Sequence, residues 1–376
     1  MISISHKSQC SGCGACAQRC PQSCIELKAD GHGFFYPVVD ADRCVDCHLC
    51  EKVCPFLNEK VQQEPVECFA AVNVHPEIRW DSSSGGLFTL LAQCVLASGG
   101  VVFGARFDAD LTVVHDFTDT VDGLAAFRGS KYVQSVIGDN YKKAEAFLKQ
   151  GKEVLFSGTP CQIAGLKQYL GKDYDKLTAV EVVCHGVPSP KVWKEYLGGK
   201  ARNIQASDVS FRDKSTGWRD YSVRIGSTKR RHDYDHYMGC FLGNYSLRQS
   251  CFNCPVKSGR SGADIILGDL WGICDIAPSL NDDKGTSLVI VNTGQGMRLV
   301  ERSGVEKLVP VQYEKAVSHN QAVQHSPVKP TDYDGFWRLF EQSPAHAIKE
   351  YGGRFTPGLK VRIKQVLRRW FFPKVF

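Results

Sequence analysis

The sequence opens without an apolar run, and it contains neither G-x-G-x-x-G nor G-x-x-x-x-G-K-[ST]. The start, MISISHKSQC, has no signal-peptide core, so export is not expected and a cytoplasmic location is. Without the glycine motifs, neither a Rossmann dinucleotide fold nor a P-loop is predicted. A spread positive field is also missing. The formal net charge is +6, yet residues 349–376 hold eight Lys/Arg and one Glu, which leaves the remainder about one unit negative. General nucleic-acid binding is therefore disfavoured. Long uncharged stretches are scarce. Ser82 to Ala105 has the length of a membrane span, but Ser82-Ser83-Ser84-Gly85-Gly86, Gln93, Ser98 and Gly99-Gly100 break it. It reads instead as helix, turn and strand.

What is plentiful is cysteine, with 17 in 376 residues. In a reducing compartment so many thiols are better metal ligands than disulfide partners. Eight of them fall in an internal repeat. CSGCGACAQRCP at Cys10–Pro21 returns as CVDCHLCEKVCP at Cys44–Pro55. Both runs read Cys-x2-Cys-x2-Cys-x3-Cys-Pro, the spacing of two-cluster bacterial ferredoxins, in which the fourth Cys of each run ligates the other cluster. One 4Fe-4S cluster is thus expected on Cys10, Cys13, Cys16 and Cys54, and a second on Cys44, Cys47, Cys50 and Cys20. Zinc knuckles are paired Cys-x2-Cys units and do not match this pattern. Cys24, just outside the run, reads as a small buried residue. Ile25-Glu26-Leu27 and Tyr36-Pro37-Val38-Val39 read as short strands around Asp30-Gly31-His32-Gly33. Asn58 to Glu67, polar and containing Pro65, reads as a linker.

Beyond Cys68 strands alternate with helices. Strands are predicted at Glu67–Val74, Val101–Phe107, Glu153–Phe156, Leu177–Val183, Ala263–Leu267 and Ser287–Val291. Two more are expected within Val209–Arg224, around Gly217-Trp218. Helices are predicted at Gly86–Ala97, Asn140–Gln150 and Cys161–Leu170. This order predicts an α/β (α+β) body with a mixed sheet behind the ferredoxin module.

A set of short motifs then comes in sequence: Ser84-Gly85-Gly86, Arg128-Gly129-Ser130-Lys131-Tyr132, Gly158-Thr159-Pro160-Cys161-Gln162, Cys184-His185-Gly186-Val187-Pro188-Ser189-Pro190, Phe211-Arg212-Asp213-Lys214 with Gly217-Trp218, Cys251-x2-Cys254, and DIILGDLWG from Asp264. Together they resemble the beta-subunit family of coenzyme F420-reducing hydrogenase and formate dehydrogenase, in its bacterial branch with a fused N-terminal ferredoxin. The resemblance implies FAD and an iron–sulfur cluster in the body, and electron movement between clusters and a deazaflavin or other two-electron carrier. It implies domains at 1–60 (ferredoxin), 61–150 and 151–330 (the two parts of the body), and a basic tail at 331–376.

The residues accommodate that implication. A flavin needs anion sites for its pyrophosphate, and loops that open helices supply free N–H groups and a favourable dipole. Ser84, Gly85 and Gly86 form one such loop, Gly158 and Thr159 another, and Ser130 and Lys131 could add to them. Ordinary tight turns explain the same loops. A third cluster is expected on Cys161, Cys184, Cys251 and Cys254, with Cys240 an alternative to Cys161. Cys68, Cys94 and Cys274 read as core. Asp213, Lys214 and Trp218 read either as positioning groups or as an exposed turn. His185 is the one histidine singled out; His32, His48, His232 and His236 read as surface or supporting groups.

The function expected is an FAD- and iron–sulfur-dependent oxidoreductase, with a redox protein or a small two-electron carrier as partner and no catalytic residue assigned. One alternative is a non-catalytic electron-relay subunit serving a separate enzyme. Another is a thiol enzyme using Cys161 and His185, which lacks a visible orienting residue. In the tail, Ile363, Val366, Leu367 and Trp370 recur at helical spacing among Lys360, Arg362, Lys364, Arg368 and Arg369. They predict a docked terminal helix or a surface for anionic lipid or an acidic partner.

Overall fold

Among the described residues there are thirteen strands, most of them set by short β-branched and aromatic runs: β1 (Ile25–Ala29), β2 (Phe35–Val39), β3 (Glu67–Val72), β4 (Val101–Phe107), β5 (Val113–Thr118), β6 (Val154–Gly158), β7 (Leu177–Val182), β8 (Val209–Asp213), β9 (Ser222–Ile225), β10 (Thr228–Arg231), β11 (Ile265–Asp269), β12 (Ser287–Val291) and β13 (Lys307–Pro310). They belong to a computed structural model that describes residues 1–198 and 204–356. The tail pattern at 363–370 lies outside the described residues.

The main sheet has the order β13-β3-β12-β11-β7-β6-β4-β5. Its centre, β4, β6, β7 and β11, is parallel, and the flanking pairs are antiparallel. The sheet is mixed, as expected. The central strands are apolar on both faces, which a parallel sheet covered on both sides requires. In β6, Val154 and Phe156 join one core and Leu155 the other. Helices Leu87–Ala97 and Gly294–Arg302 cover one face, while Asn140–Lys149 and Pro160–Leu170 cover the opposite one. Ser82 to Ala105 is bend, helix, Gly99-Gly100 and β4. No helix among the described residues is long and apolar enough to cross a membrane.

A second core forms on the three-stranded sheet β10-β9-β8 with helices Pro190–Leu197, His236–Leu242, Tyr333–Gln342 and Pro344–Gly353. The last two bury Tyr333, Phe336, Trp337, Phe340 and Tyr351. The segment read as a tail from 331 therefore begins with twenty-odd packed residues, because its aromatic side recurs at helical spacing. The readings of β5, β10, β13 and these helices did not emerge from sequence. Two of the strands, β10 and β13, are half-exposed edge strands with little apolar pattern.

The ferredoxin module, built on the β1–β2 hairpin, is locked onto the body. Gln18 Oε1 accepts from Tyr141 N at 2.9 Å, and Gln134 Nε2 donates to Ser11 O at 3.0 Å. The Ser189 hydroxyl, which caps helix Pro190–Leu197, also donates to His32 O. Cys13 packs into the face of helix Pro160–Leu170 where Gly165 leaves room: a Cβ there would stand 3.1 Å from Cys13 Sγ and 2.9 Å from Tyr141 Oη. Gly165→Val should therefore cost about 1–3 kcal/mol by overpacking. Gly31→Ala, with nothing within 4 Å, should be neutral. Urea unfolding midpoints of the two variants measure the difference; equal midpoints would count against close docking.

Candidate functional site

The parallel strands β4, β6, β7 and β11 end on one edge of the sheet, where α/β proteins place their ligands. Three sets of thiols and one buried guanidinium, that of Arg212, gather there and in the module docked beside it.

The first set lines a recess of about 340 Å³, part of it open to solvent, walled by Cys20, Cys44, Cys47 and Cys50 with Cys24, Ile25 and Val39. The second lines one of about 350 Å³, also partly open, walled by Cys10, Cys13, Cys16 and Cys54 with Ile2, Ile4 and Leu27. These are the crossed sets that the repeat predicts, each taking its fourth thiol from the other run. The crossing follows from the short helices that each run forms, Ala15–Arg19 and Leu49–Lys52. The left-handed residues Gly14 and His48 turn the chain into them. Amides point at sulfur in both sets: Gly12 N lies 3.3 Å from Cys10 Sγ and Ile2 N 3.3 Å from Cys50 Sγ. Such contacts stabilise thiolate and tune a metal centre. Cys24 is buried, with its sulfur 3.3 Å from Cys20 Sγ. It is a fifth thiol at the first recess, a role its sequence context did not reveal.

The third set is brought together at the sheet edge. Cys161 opens the helix after β6, Cys184 follows β7, and Cys251 and Cys254 lie on the turn Gln249–Asn253 and just after it. Cys184 is in electrostatic reach of Cys161, Cys251 and Cys254. Cys240 is not part of the group: it is fully buried in helix His236–Leu242, with its thiol toward Ile348 O. Among the described residues, no three His, Cys, Asp or Glu converge as a single ion requires. Burial pushes Cys254 up to about 12 and Cys251 to about 11, and raises Cys184 well above the ordinary thiol range. It pushes Cys16 up to about 12 and raises Cys13 and Cys54. Ligation needs the thiolate, so iron would supply the positive charge that these buried sulfurs lack. Cys161 is raised by burial too, the reverse of what a nucleophilic thiol requires, and the His185 ring faces Asn244 Oδ1 at 2.6 Å.

The sets adjoin one another. Cys16 feels Cys50 of the first, and Cys13 lies in electrostatic reach of Cys161 of the third. From the third set, aromatic rings lead on. His185 meets Phe241 edge-on at 5.4 Å, and Phe241 stacks on Tyr132 at 4.7 Å.

Tyr132 Oη then accepts from Arg212 Nη1 at 3.2 Å. Arg212 is the buried charged residue here that single-residue reading passed over. Its side chain is 4% exposed, and Nη1 also donates to Asp269 Oδ2 at 2.7 Å. Nε and Nη2 have no partner. The guanidinium lies over Tyr221 at 4.2 Å and near Trp271 at 5.6 Å, and Trp271 stacks on Trp218 at 4.7 Å. A buried guanidinium with two orphaned N–H groups in an aromatic setting fits an acceptor-bearing planar ligand such as a flavin.

The loops expected to hold phosphate surround this pocket in part. Ser84 Oγ donates to Thr286 O at 2.7 Å, Ser130 N donates to Ser83 Oγ at 2.6 Å, and Gly86 is left-handed at φ 84°. Gly85 is small because a Cβ would stand 2.3 Å from Ala71 O; close packing on β3 accounts for it without a ligand. Lys131 Nζ is held by the carbonyls of Ala126 and Arg128, each at 2.8 Å, and burial lowers it. Lys214 is buried rather than on an exposed turn. It donates to Arg79 O, Ser84 O and Lys284 O, and burial lowers it to about 7. Trp218 is buried likewise, and Nε1 donates to Ser83 O at 3.1 Å. Gly158 and Thr159 stand elsewhere, at the end of β6. Thr159 caps the helix that presents Cys161, so they belong with the third thiol set. Cys68 is buried, but Cys274 is exposed beside Arg219 and Asn281, a correction to its reading as core. The apolar Ile273 and Ile276 around it face inward while it does not.

Residues 151–314 match the C-terminal family of the coenzyme F420 hydrogenase/dehydrogenase beta subunit, and residues 9–58 match the 4Fe-4S dicluster domain. A ferredoxin-like protein in the nif region of Sinorhizobium fredii is 39% identical over 54 residues, covering 13% of this chain and 77% of that protein. A solved chain of the F420-reducing [NiFe] hydrogenase complex from Methanosarcina barkeri is 17% identical, with 83% of this chain and 96% of that one covered and a TM-score of 0.48.

The crossed thiol sets make a sharp prediction. Cys13→Ser with Cys54→Ser removes two ligands of one cluster and should leave the other cluster's EPR signal. Cys13→Ser with Cys20→Ser should erase both signals, since Cys20 belongs to the other set. Equal outcomes from the two double variants would overturn the crossing.

Proposed function

The chain belongs to the coenzyme F420 hydrogenase/dehydrogenase beta-subunit family, as an iron–sulfur electron-transfer member with a 4Fe-4S dicluster segment in front, and on that premise we propose that it is an FAD-dependent oxidoreductase with three clusters. When bound, clusters exchange single electrons and a flavin exchanges electrons singly or in pairs, so the combination suits a two-electron carrier or substrate. The observation that carries the reading is the orphaned guanidinium of Arg212, joined through Tyr132, Phe241 and His185 to the third thiol set.

Each part of the chain has a task in this reading. Cys10, Cys13, Cys16 and Cys54 hold one cluster, Cys20, Cys44, Cys47 and Cys50 a second, and Cys161, Cys184, Cys251 and Cys254 the third. Arg212 donates through Nε and Nη2 to the flavin ring, with Asp269 fixing the guanidinium plane from behind. Tyr221, Trp218 and Trp271 keep water from the ring. Lys214 organises the Ser84 loop by binding its carbonyl, and Ser84, Gly85, Gly86 and Ser130 frame the phosphate end. The first thiol set reaches the surface at the exposed Cys47, a place where a redox protein can dock.

Anaerobically purified protein should contain about 12 Fe per chain with matching sulfide, given four per cubane, and one flavin. Arg212→Gln removes a charge-assisted donor worth about 1.5–3 kcal/mol, so flavin affinity should fall roughly tenfold to a hundredfold with iron unchanged. Zinc in place of iron would refute the cluster reading. Flavin absent even after reconstitution would refute the flavin reading and leave an electron-relay subunit.

A further inference from the structure

A guanidinium with no counter-charge stands where the ferredoxin module meets the body. Arg248 is fully buried. Its Nε donates to Cys10 O at 2.7 Å, its Nη2 to Phe35 O at 2.9 Å, and its Nη1 to Gln134 Oε1 at 3.1 Å. The guanidinium lies over the Tyr36 ring at 4.1 Å and near Phe34 at 5.5 Å. Gly12 closes the other side, where a Cβ would be 3.1 Å from Nη1. The backbone of the same residue serves the third thiol set. Its N–H donates to Val187 O, and its carbonyl accepts from Cys251 N, both at 3.0 Å. Arg248 thus grips the loop of Cys10 with its side chain and the loop of Cys251 with its main chain.

Among the described residues no ion pair includes Arg248, whereas the buried Arg79 and Arg212 face Asp282 and Asp269. Arg248 has only neutral acceptors and rings. A buried charge persists at such a place only if opposite charge is close. The thiols of Cys251 and Cys161 lie in electrostatic reach of the guanidinium, and on the other side its Nε holds the backbone of the ligand Cys10. A cubane held by four thiolates carries net negative charge, and each added electron increases it. A fixed cation in a dry, low-dielectric junction therefore favours the reduced form of both neighbours.

We propose that Arg248 is a positioning residue that ties the second and third thiol sets together and raises the reduction potentials of the two clusters they hold. The proposal rests on the three-cluster reading above. It places the first cluster, on Cys20, Cys44, Cys47 and Cys50, outside the effect and so supplies an internal control.

The test is an EPR-monitored redox titration of the full-length, anaerobically purified protein. In Arg248→Met the signals of the second and third clusters should both move to more negative potential, with the first unmoved. Arg248→Lys, which keeps the charge, should stay closer to wild type. Three signals with none displaced, or all displaced alike, would overturn the proposal. If the Met variant fails to retain iron, Gln134→Glu replaces it. That change sets a carboxylate beside the guanidinium and should move the same two signals in the same direction; an unmoved pair would again overturn it. About 8 Fe rather than 12, with one signal missing, would refute the third cluster. The Arg248 effect would then be read on the second cluster alone.

Discussion

The contact on which the arrangement depends is that of Cys13 with the face of helix Pro160–Leu170. Gly165 lies one turn after Cys161, and the absence of a side chain there lets the second thiol set approach the third. Electron transfer falls steeply with separation, so a module merely tethered by the polar stretch 58–66 would sample many useless orientations. Gln18, Gln134, Ser189 and Arg248 turn that tether into a fixed interface. The hydrogen bonds these residues make across the interface end on backbone groups, while Arg248 also lies over the Tyr36 ring, so chain path and side chains are both read. Interiors packed at this density transmit a shift of one wall to the next, so the sets keep their spacing only while the whole interface holds.

Buried charge is the second theme. Arg212, Lys214, Arg248 and Lys257 are all nearly inaccessible, and all stand near the sheet edge where the parallel strands end. Three of them are handled by carbonyls or neutral acceptors rather than by a carboxylate. Lys257 Nζ, for instance, donates to Cys184 O, Ala322 O and His325 O. An edge so rich in desolvated cations would oppose folding by itself. In the proposed reading, thiolate-bound clusters and an anionic cofactor would offset that charge, which would couple cofactor loading to stability.

What could be read from the sequence follows from how local each signal is. The ferredoxin ligands sit in contiguous runs whose spacing encodes their geometry, so Cys20 and Cys54 could be assigned to opposite recesses before any fold was known. Several sheet strands were legible for the same reason: β4 opens on Val101-Val102-Phe103, and β12 carries Leu288-Val289-Ile290-Val291. The surroundings of Arg212 were not. Arg212 looks like any strand arginine until β8 is laid beside β11 and Asp269 and Tyr132 arrive from other parts of the chain. Gly85 has a second reason for its identity. A Ser-Gly-Gly loop ahead of a helix suggests phosphate, yet backbone packing on β3 already demands a residue without a Cβ. Cys161 and Cys240 could not be separated by spacing, because only the tertiary fold aims one at Cys184 and the other at Ile348.

The three thiol sets also differ in exposure, and that difference gives the molecule a direction in space. Cys47 of the first set is exposed, and Cys13 and Cys16 of the second are buried. The third set is walled by the sheet edge, and the Arg212 pocket beyond it is lined by aromatic rings. The one exposed ligand thiol thus lies in the module's outer recess, the four thiols of the third set are half-buried, and Arg212 beyond them is buried. A centre at the surface meets a protein partner across a small, wet contact, as transient redox encounters do. A two-electron carrier needs the contrary: a dry site where proton and electron delivery are controlled and stray oxidants are kept out. In the proposed reading, a module fixed to the body instead of diffusing to it would serve both requirements within one docked unit.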